Sequence, residues 1–350
     1  MFWEGRRVLV TGGASFIGSH LVDKLLTLGA DVLVADDLSS GKIENLEYPL
    51  TKTGSRLQYR DLQVEIGDLR ERTFTKSIMR DMDSVFHLAA SHGGRGYIDS
   101  HPVECCTNML LDQSVFQEAF SADVEHVCFA SSACVYPNYL QEETSSQYLL
   151  KEEDADPFVR DRAMADLEYG WAKLMAEMTL SAYHKEYGLK TSAVRIFTAY
   201  GPRENETHAI IALIAKAFIR QDPYTVWGTG EQDRNFTYVE DIVDALLNAA
   251  EKIKDGTPVN AGRSDRITIN SVCELLFKIC NWRPTEVAHE INRPRGVASR
   301  AADLTRAEKV LGWKPRITYE EGFRKTMDWY YEHKEPDQVR KNLNKLLLER

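Results

Sequence analysis

Tyr169 and Lys173 stand four residues apart in "YGWAK", inside the helically periodic stretch "DLEYGWAKLMAEMTLSAYHKEYG". At that spacing both side chains leave one face of a helix, one turn apart. A lysine ammonium beside a phenol favours the phenolate and moves the tyrosine toward the range of a general base. Such a base takes the proton of a substrate hydroxyl. Ser132, at the end of the apolar run "EHVCFASSA", is the candidate to hold that hydroxyl. Two residues on, "SSACVYP" carries Cys134. A thiol there is either a small apolar filler at a strand end or a proton carrier, since a free thiol has a pKa of about 8.5.

A second chemical signal lies near the start, in "TGGASFIGSH". A glycine-rich turn between a strand and a helix lets the backbone approach a pyrophosphate, and the helix N-terminus offers unpaired N–H groups. Gly12 makes the turn, Phe16 and Ile17 open the helix, and Gly18 allows helix and sheet to pack closely. Ser15 takes the place of the middle glycine. The second apolar run ends in Asp36, 18 residues past Gly18. An acid there accepts hydrogen bonds from a ribose diol and repels a 2′-phosphate, which favours NAD over NADP. "GDL" places Asp68 and Leu69 near the adenine, and Lys42 in "SSGK" within reach of a cofactor phosphate.

These residues require strands and helices in alternation. "RRVLVTGG", "DVLVADD", "SVFHLAA", "EHVCFASSA" and "KTSAVRIF" read as apolar strands with helical segments between them. That pattern predicts an α/β fold, a Rossmann-type doubly wound parallel sheet covered on both faces. After about residue 200 it changes to short strands and helices, a smaller C-terminal α/β substrate lobe. The expected division is 1–195 for the dinucleotide domain with a returning segment near 224–252, 196–223 and 253–335 for the lobe, and 336–350 as a charged helical tail. With 350 residues, 53 acidic side chains against 43 Lys and Arg, and a formal net charge of −10, the chain lacks the basic balance of a nucleic-acid binder. No signal peptide and no apolar run long enough to span a membrane is visible. The six cysteines lack metal-type spacing and read as reduced thiols of a cytoplasmic protein, with no metal site.

Together, "VLVTGGASFIGSHL", "DDLSSG", "GDL", "VFHLAA", "SSACVYP", "YGWAK", "YGP", "WGTGEQDRNFTYVEDI", "VNAG" and "LGWKP" resemble an extended short-chain dehydrogenase/reductase of the nucleotide-sugar epimerase/dehydratase family, over nearly all of residues 6–335. The resemblance implies tight NAD binding, with Leu88, Ala89 and Ala90 beside the cofactor. It also implies a nucleotide-diphosphate sugar as substrate, transient oxidation of a sugar hydroxyl, and a homodimer built around the tyrosine helix. Within the family, "SSACVYPNYLQEETSSQYLLKEEDADP" and "GGRGYI" are most similar to the GDP-mannose 3,5-epimerases. That likeness gives Cys134 the role of acid/base beside a C4 ketone and puts Gly94 and Arg95 in a substrate loop. It aligns His208 in "THAIIALIAKA" with a catalytic lysine; an imidazole with a pKa near 6.5 can serve as an acid. Thr198 stands where the family often has a phosphate-contacting asparagine. Arg234 in "QDRNF" and Arg300 in "RGVASR" match arginines suited to clamp a diphosphate. Asn108 and His87 are expected to be structural.

The reading is therefore an epimerase acting at C3 and/or C5 through a 4-keto sugar. Open beside it are a 4-epimerase, which needs only Ser132, Tyr169 and Lys173, a 4,6-dehydratase, and a catalytically silent NAD-binding regulator. No Asp-Glu pair replaces Ala133-Cys134, which argues against dehydration.

Overall fold

A nine-stranded sheet forms the centre of the computed structural model, which describes residues 2–143, 147–160, 162–293 and 296–347. Parts of two matched stretches, at 144–146 and 294–295, and the last three residues of the tail lie outside the described residues. The strand order is Asp255–Ala261, Lys190–Ile196, His126–Ser132, Ser84–His87, Arg7–Thr11, Asp31–Asp36, Leu62–Ile66, Arg56–Tyr59, Thr51–Thr53. The first seven run parallel, and the last two form an antiparallel edge hairpin. The hairpin escapes sequence reading because its strands, TKT and RLQY, are not buried and carry no apolar run.

Both faces of the parallel part are covered, and the side chains divide with period two. Val8, Val10, Val32, Val34, Phe86 and Cys128 pack toward helices Phe16–Thr27 and Val239–Lys252. Leu9, Leu33, Val85, Val127 and Phe129 pack toward Arg72–Ile78, Pro102–Ser121 and Leu167–Tyr187. Strand order reverses between Arg7–Thr11 and Ser84–His87. The crevice at their carboxyl ends is where such sheets bind ligands.

The boundaries between lobes differ from the expected ones. The segment that returns to the sheet is Val239–Ala261, ending in a strand paired with Lys190–Ile196. Tyr224–Trp227 instead pairs with Val287–Glu290 in the smaller lobe. Its alternate residues Tyr224 and Val226 are buried against Ile210, Ile214, Leu276 and Phe277, so the core they fill belongs to that lobe. The tail helix Pro336–Leu346 presses Val339 and Leu343 into the same core. None of the six cysteines forms a disulfide, and among the described residues no helix is long and apolar enough to cross a membrane.

Candidate active site

The turn after the first strand is shaped by two close approaches. Gly12 has φ +69°, and a Cβ there would lie 2.9 Å from Ala89 N. A Cβ on Gly18 would lie 2.1 Å from Gly12 O, closer than any side chain can stand. Both positions therefore need glycine. The backbone left bare this way, with Ser15, Phe16, Ile17 and Lys42, lines one end of a cavity of about 690 Å³. Leu88, Ala89 and Ala90 line the same end. A bare glycine turn running into a helix N-terminus at the sheet's switch point fits the pyrophosphate of a dinucleotide.

The loop at Leu88 is held from below. Leu88 N and Ala89 N both donate to Thr11 Oγ1 at 3.2 Å, and that hydroxyl lies 2.7 Å from His87 Nδ1. His87 Nε2 lies 2.9 Å from Asp112 Oδ1. Thr11, His87 and Asp112 are all buried. Burial pushes the His87 imidazole below its ordinary pKa, against the pull of Asp112. Asn108 exchanges two hydrogen bonds with the backbone of Ser91.

Three residues expected at the cofactor have contacts within the chain itself. Asp36 turns back onto its own loop: Oδ2 accepts from Ala14 N at 3.0 Å and Oδ1 from Leu38 N at 2.9 Å. It thereby braces the glycine turn. Asp68 is taken by Arg70, whose guanidinium holds its carboxyl below the ordinary range. Leu69 is a core residue beneath the sheet.

The tyrosine helix Leu167–Tyr187 starts at Asp166 and ends at Gly188, which adopts φ +74°. Tyr169 and Lys173 lie one turn apart on its buried face, and both line the cavity with Ser132. Ser132 stands near the Tyr169 phenol, and its hydroxyl accepts from Cys134 N at 3.1 Å. Lys173 Nζ donates to Ala130 O at 3.0 Å, 4.4 Å from the Phe129 ring centroid and 5.8 Å from that of Tyr169. The expected lowering of the tyrosine is not found. Burial pushes the Tyr169 phenol well above its ordinary range, and neighbouring Cys134 adds to the rise. The ammonium faces the strand backbone, so its attraction does not offset desolvation of the phenolate. Burial also pulls Lys173 down, opposed by Asp112 and Glu177.

Beyond Tyr169 the cavity is lined by Cys134, Arg95, Arg234 and Arg300. Arg300 Nη1 lies 3.9 Å from Cys134 Sγ, and its Nε donates to Gln141 Oε1 at 2.5 Å. Arg95 Nη1 donates to both oxygens of Asp166, at 3.0 and 2.9 Å. Arg234 is half-buried beside Arg300 and Arg95, and desolvation followed by their charge pushes it down to about 9. Gly94 matters for shape: a Cβ there would stand 2.1 Å from Thr207 O, so the glycine lets the Arg95 loop close on the segment before His208. Thr198 lines the cavity as well.

His208 caps the N-terminus of helix Ala209–Phe218 without a side-chain cap bond. Its ring lies 5.3 Å from that of His92, which lies 5.0 Å from Tyr169. Burial pulls the imidazole down to about 4 rather than leaving it near 6.5. The far end of the cavity holds residues that sequence reasoning missed: Lys216, Trp227 and Trp329. Lys216 Nζ donates to Thr225 O at 2.8 Å, and burial pushes it down to about 8. A lysine inside the apolar run "AIIALIAKAF" was the available signal.

The chain matches the NAD dependent epimerase/dehydratase family over residues 8–262. It is 30% identical over 346 residues to GDP-mannose 3,5-epimerase 1 of Oryza sativa subsp. indica, covering 97% of this chain and 85% of that one. Among solved structures it resembles the UDP-glucose 4-epimerase of Thermotoga maritima with UDP-glucose, at 27% identity and TM-score 0.79, over 93% of this chain and 99% of the other. It likewise resembles the Thermus thermophilus UDP-glucose 4-epimerase in complex with NAD, at 25% identity and TM-score 0.77, over 94% and 100%. With a family model matched over residues 8–262 and a relative 30% identical over nearly the whole chain, this chain is an enzyme of the NAD-dependent epimerase/dehydratase family.

Proposed function

We propose that the chain is a nucleotide-sugar epimerase that works through a 4-keto sugar and moves protons at C3 and/or C5, in the manner of a GDP-mannose 3,5-epimerase. The observation that carries this reading is the Cys134 thiol in the cavity beside Ser132 and Tyr169, with the imidazole of His208 lining the same space. Residues around Gly12 and Gly18 would hold NAD, which when bound would supply the hydride acceptor and donor for C4. Ser132 holds the C4 hydroxyl, and Tyr169 Oη accepts its proton and gives it back. The ketone acidifies the hydrogens at C3 and C5. The Cys134 sulfur takes one of these protons, and His208 delivers a proton to the opposite face. Arg95, Arg234 and Arg300 suit a diphosphate, whose charge would relieve the repulsion that weakens Arg234. Trp227 and Trp329 offer aromatic walls for a planar base. The subunit is proposed to pair with a second copy through helices Pro102–Ser121 and Leu167–Tyr187.

The competing reading is a 4-epimerase, supported by the likeness to UDP-glucose 4-epimerases. Incubation with GDP-mannose, then UDP- and dTDP-hexoses, in D₂O separates the two by NMR. Deuterium at C3 or C5 supports the proposal. Inversion at C4 without deuterium overturns it in favour of the 4-epimerase.

A further inference from the structure

Glu204 is a buried carboxyl in the cavity wall for which the Ser132–Tyr169–Lys173 set has no use. Its Oε1 lies 3.3 Å from His208 Nδ1, and its Oε2 has no hydrogen-bond partner in the protein. An ionised carboxylate with a bare buried oxygen is strongly disfavoured, and so is an isolated buried imidazolium. Burial pushes Glu204 well above the ordinary carboxylate range, against the pull of the Gly201 backbone, and pulls His208 down. A lone imidazole in this position has no spare proton at neutral pH. A carboxylic acid beside it does.

We propose that Glu204 and His208 form one proton-sharing unit, in which Glu204 positions the imidazole and replenishes its proton during transfer at the sugar carbon. This rests on the acid/base role proposed above for His208. At rest the carboxyl O–H donates to Nδ1, and the one proton of the neutral imidazole sits on Nε2. When Nε2–H protonates a carbanionic carbon, a C–H bond forms and the N–H bond breaks. The carboxyl proton moves to Nδ1, leaving a carboxylate and a neutral imidazole. The reverse transfer abstracts a proton and restores the acid, so no charge accumulates on the ring. Ionisable groups that line the same cavity include His92, Tyr169, Cys134, Arg95, Arg203, Glu206 and Lys334. Of these, Glu206 is held by Tyr330 and Lys334, and Arg95 by Asp166 and Asp99, whereas Glu204 lies beside the imidazole.

The test is NMR of the ¹⁵N-histidine-labelled full chain, with His208 assigned by its loss in His208→Gln. The wild type is expected to show the Nε2–H tautomer, uncharged from pH 8 to about pH 5. In Glu204→Gln the tautomer ratio and the midpoint should move by half a unit or more, while the signals of His20 and His126 stay in place and report an intact fold. Identical His208 signals in both proteins overturn the pairing. With GDP-mannose in D₂O, Glu204→Gln should label C3 or C5 at least tenfold more slowly at similar KM, and Glu204→Asp should regain part of the rate. Unchanged labelling overturns the unit's part in proton transfer. A wild type that labels no carbon of GDP-mannose or of UDP- and dTDP-hexoses overturns the acid/base reading of His208 itself, a failure separate from the pairing, which the spectra decide.

Discussion

Arg300 and Cys134 lie 166 positions apart in the chain, yet the guanidinium Nη1 stands 3.9 Å from the thiol sulfur. Gln141 and Asp166 fix the arginine from behind, and Asp166 also takes the fork of Arg95. The thiol therefore sits at the edge of an arginine cluster suited to anions. On the proposed mechanism Cys134→Ser removes the proton carrier and leaves the cluster intact. Incorporation of deuterium at C3 or C5 should fall by about 10² or more, with GDP affinity unchanged by calorimetry. Arg300→Lys should do the opposite, weakening GDP binding about tenfold because an ammonium cannot fork. Equal labelling by Cys134→Ser would return the cysteine to a packing role.

The phenol of Tyr169 is held neutral by burial, so on the proposed mechanism the proton acceptor starts out carrying a proton. Below its pKa, the ionised fraction rises about tenfold per pH unit. The first oxidation, followed by NADH fluorescence after rapid mixing with sugar nucleotide, should therefore speed up as pH rises from 6 to 9. Tyr169→Phe should lower it by about 10²-fold or more at every pH. Lys173→Met removes the nearby cation and should push the pH dependence further alkaline. A rate flat across this range would mean that another group accepts the proton.

His126 is buried at the start of a central strand, with Nε2 3.1 Å from Ile253 O and Nδ1 without a partner. Burial pulls it from 6.5 to about 3. The unfolded chain binds a proton below 6.5 and the folded chain does not until about 3, so this group's contribution is lost as pH falls through that window. The slope is at most about 1.4 kcal/mol per unit. Urea unfolding at pH 7, 6 and 5 should show the wild type losing more stability than His126→Asn. A constant gap between the two proteins would show that the imidazole titrates freely.

Helices Pro102–Ser121 and Leu167–Tyr187 pack together against the sheet, yet Val103, Leu110, Trp171 and Met175 on them remain exposed. These exposed apolar side chains are the surface through which the proposed pairing with a second copy would run. The wild type should elute at twice the chain's mass in light scattering, and Leu110→Glu with Trp171→Glu should shift it to the monomer. A wild-type monomer at micromolar concentration would remove the proposed pairing.

Local chemistry made part of this protein legible. A strand, a glycine turn and a helix follow each other within twenty residues, and glycine is required wherever the backbone closes on itself, so "TGGASFIGSH" carries its own geometry. Tyr169 and Lys173 share a face because helical spacing puts them there. The apolar runs read as strands because both faces of a parallel sheet are buried. The polar edge hairpin gave no such signal. Tertiary structure decided the rest: that Asp36 braces its own turn, that Asp68 is taken by Arg70, that burial overrides Lys173 at the phenol, and that Glu204 meets His208 with one oxygen bare. Burial and competing partners set these outcomes, and both arise from segments far apart in the chain, which no spacing within one stretch records.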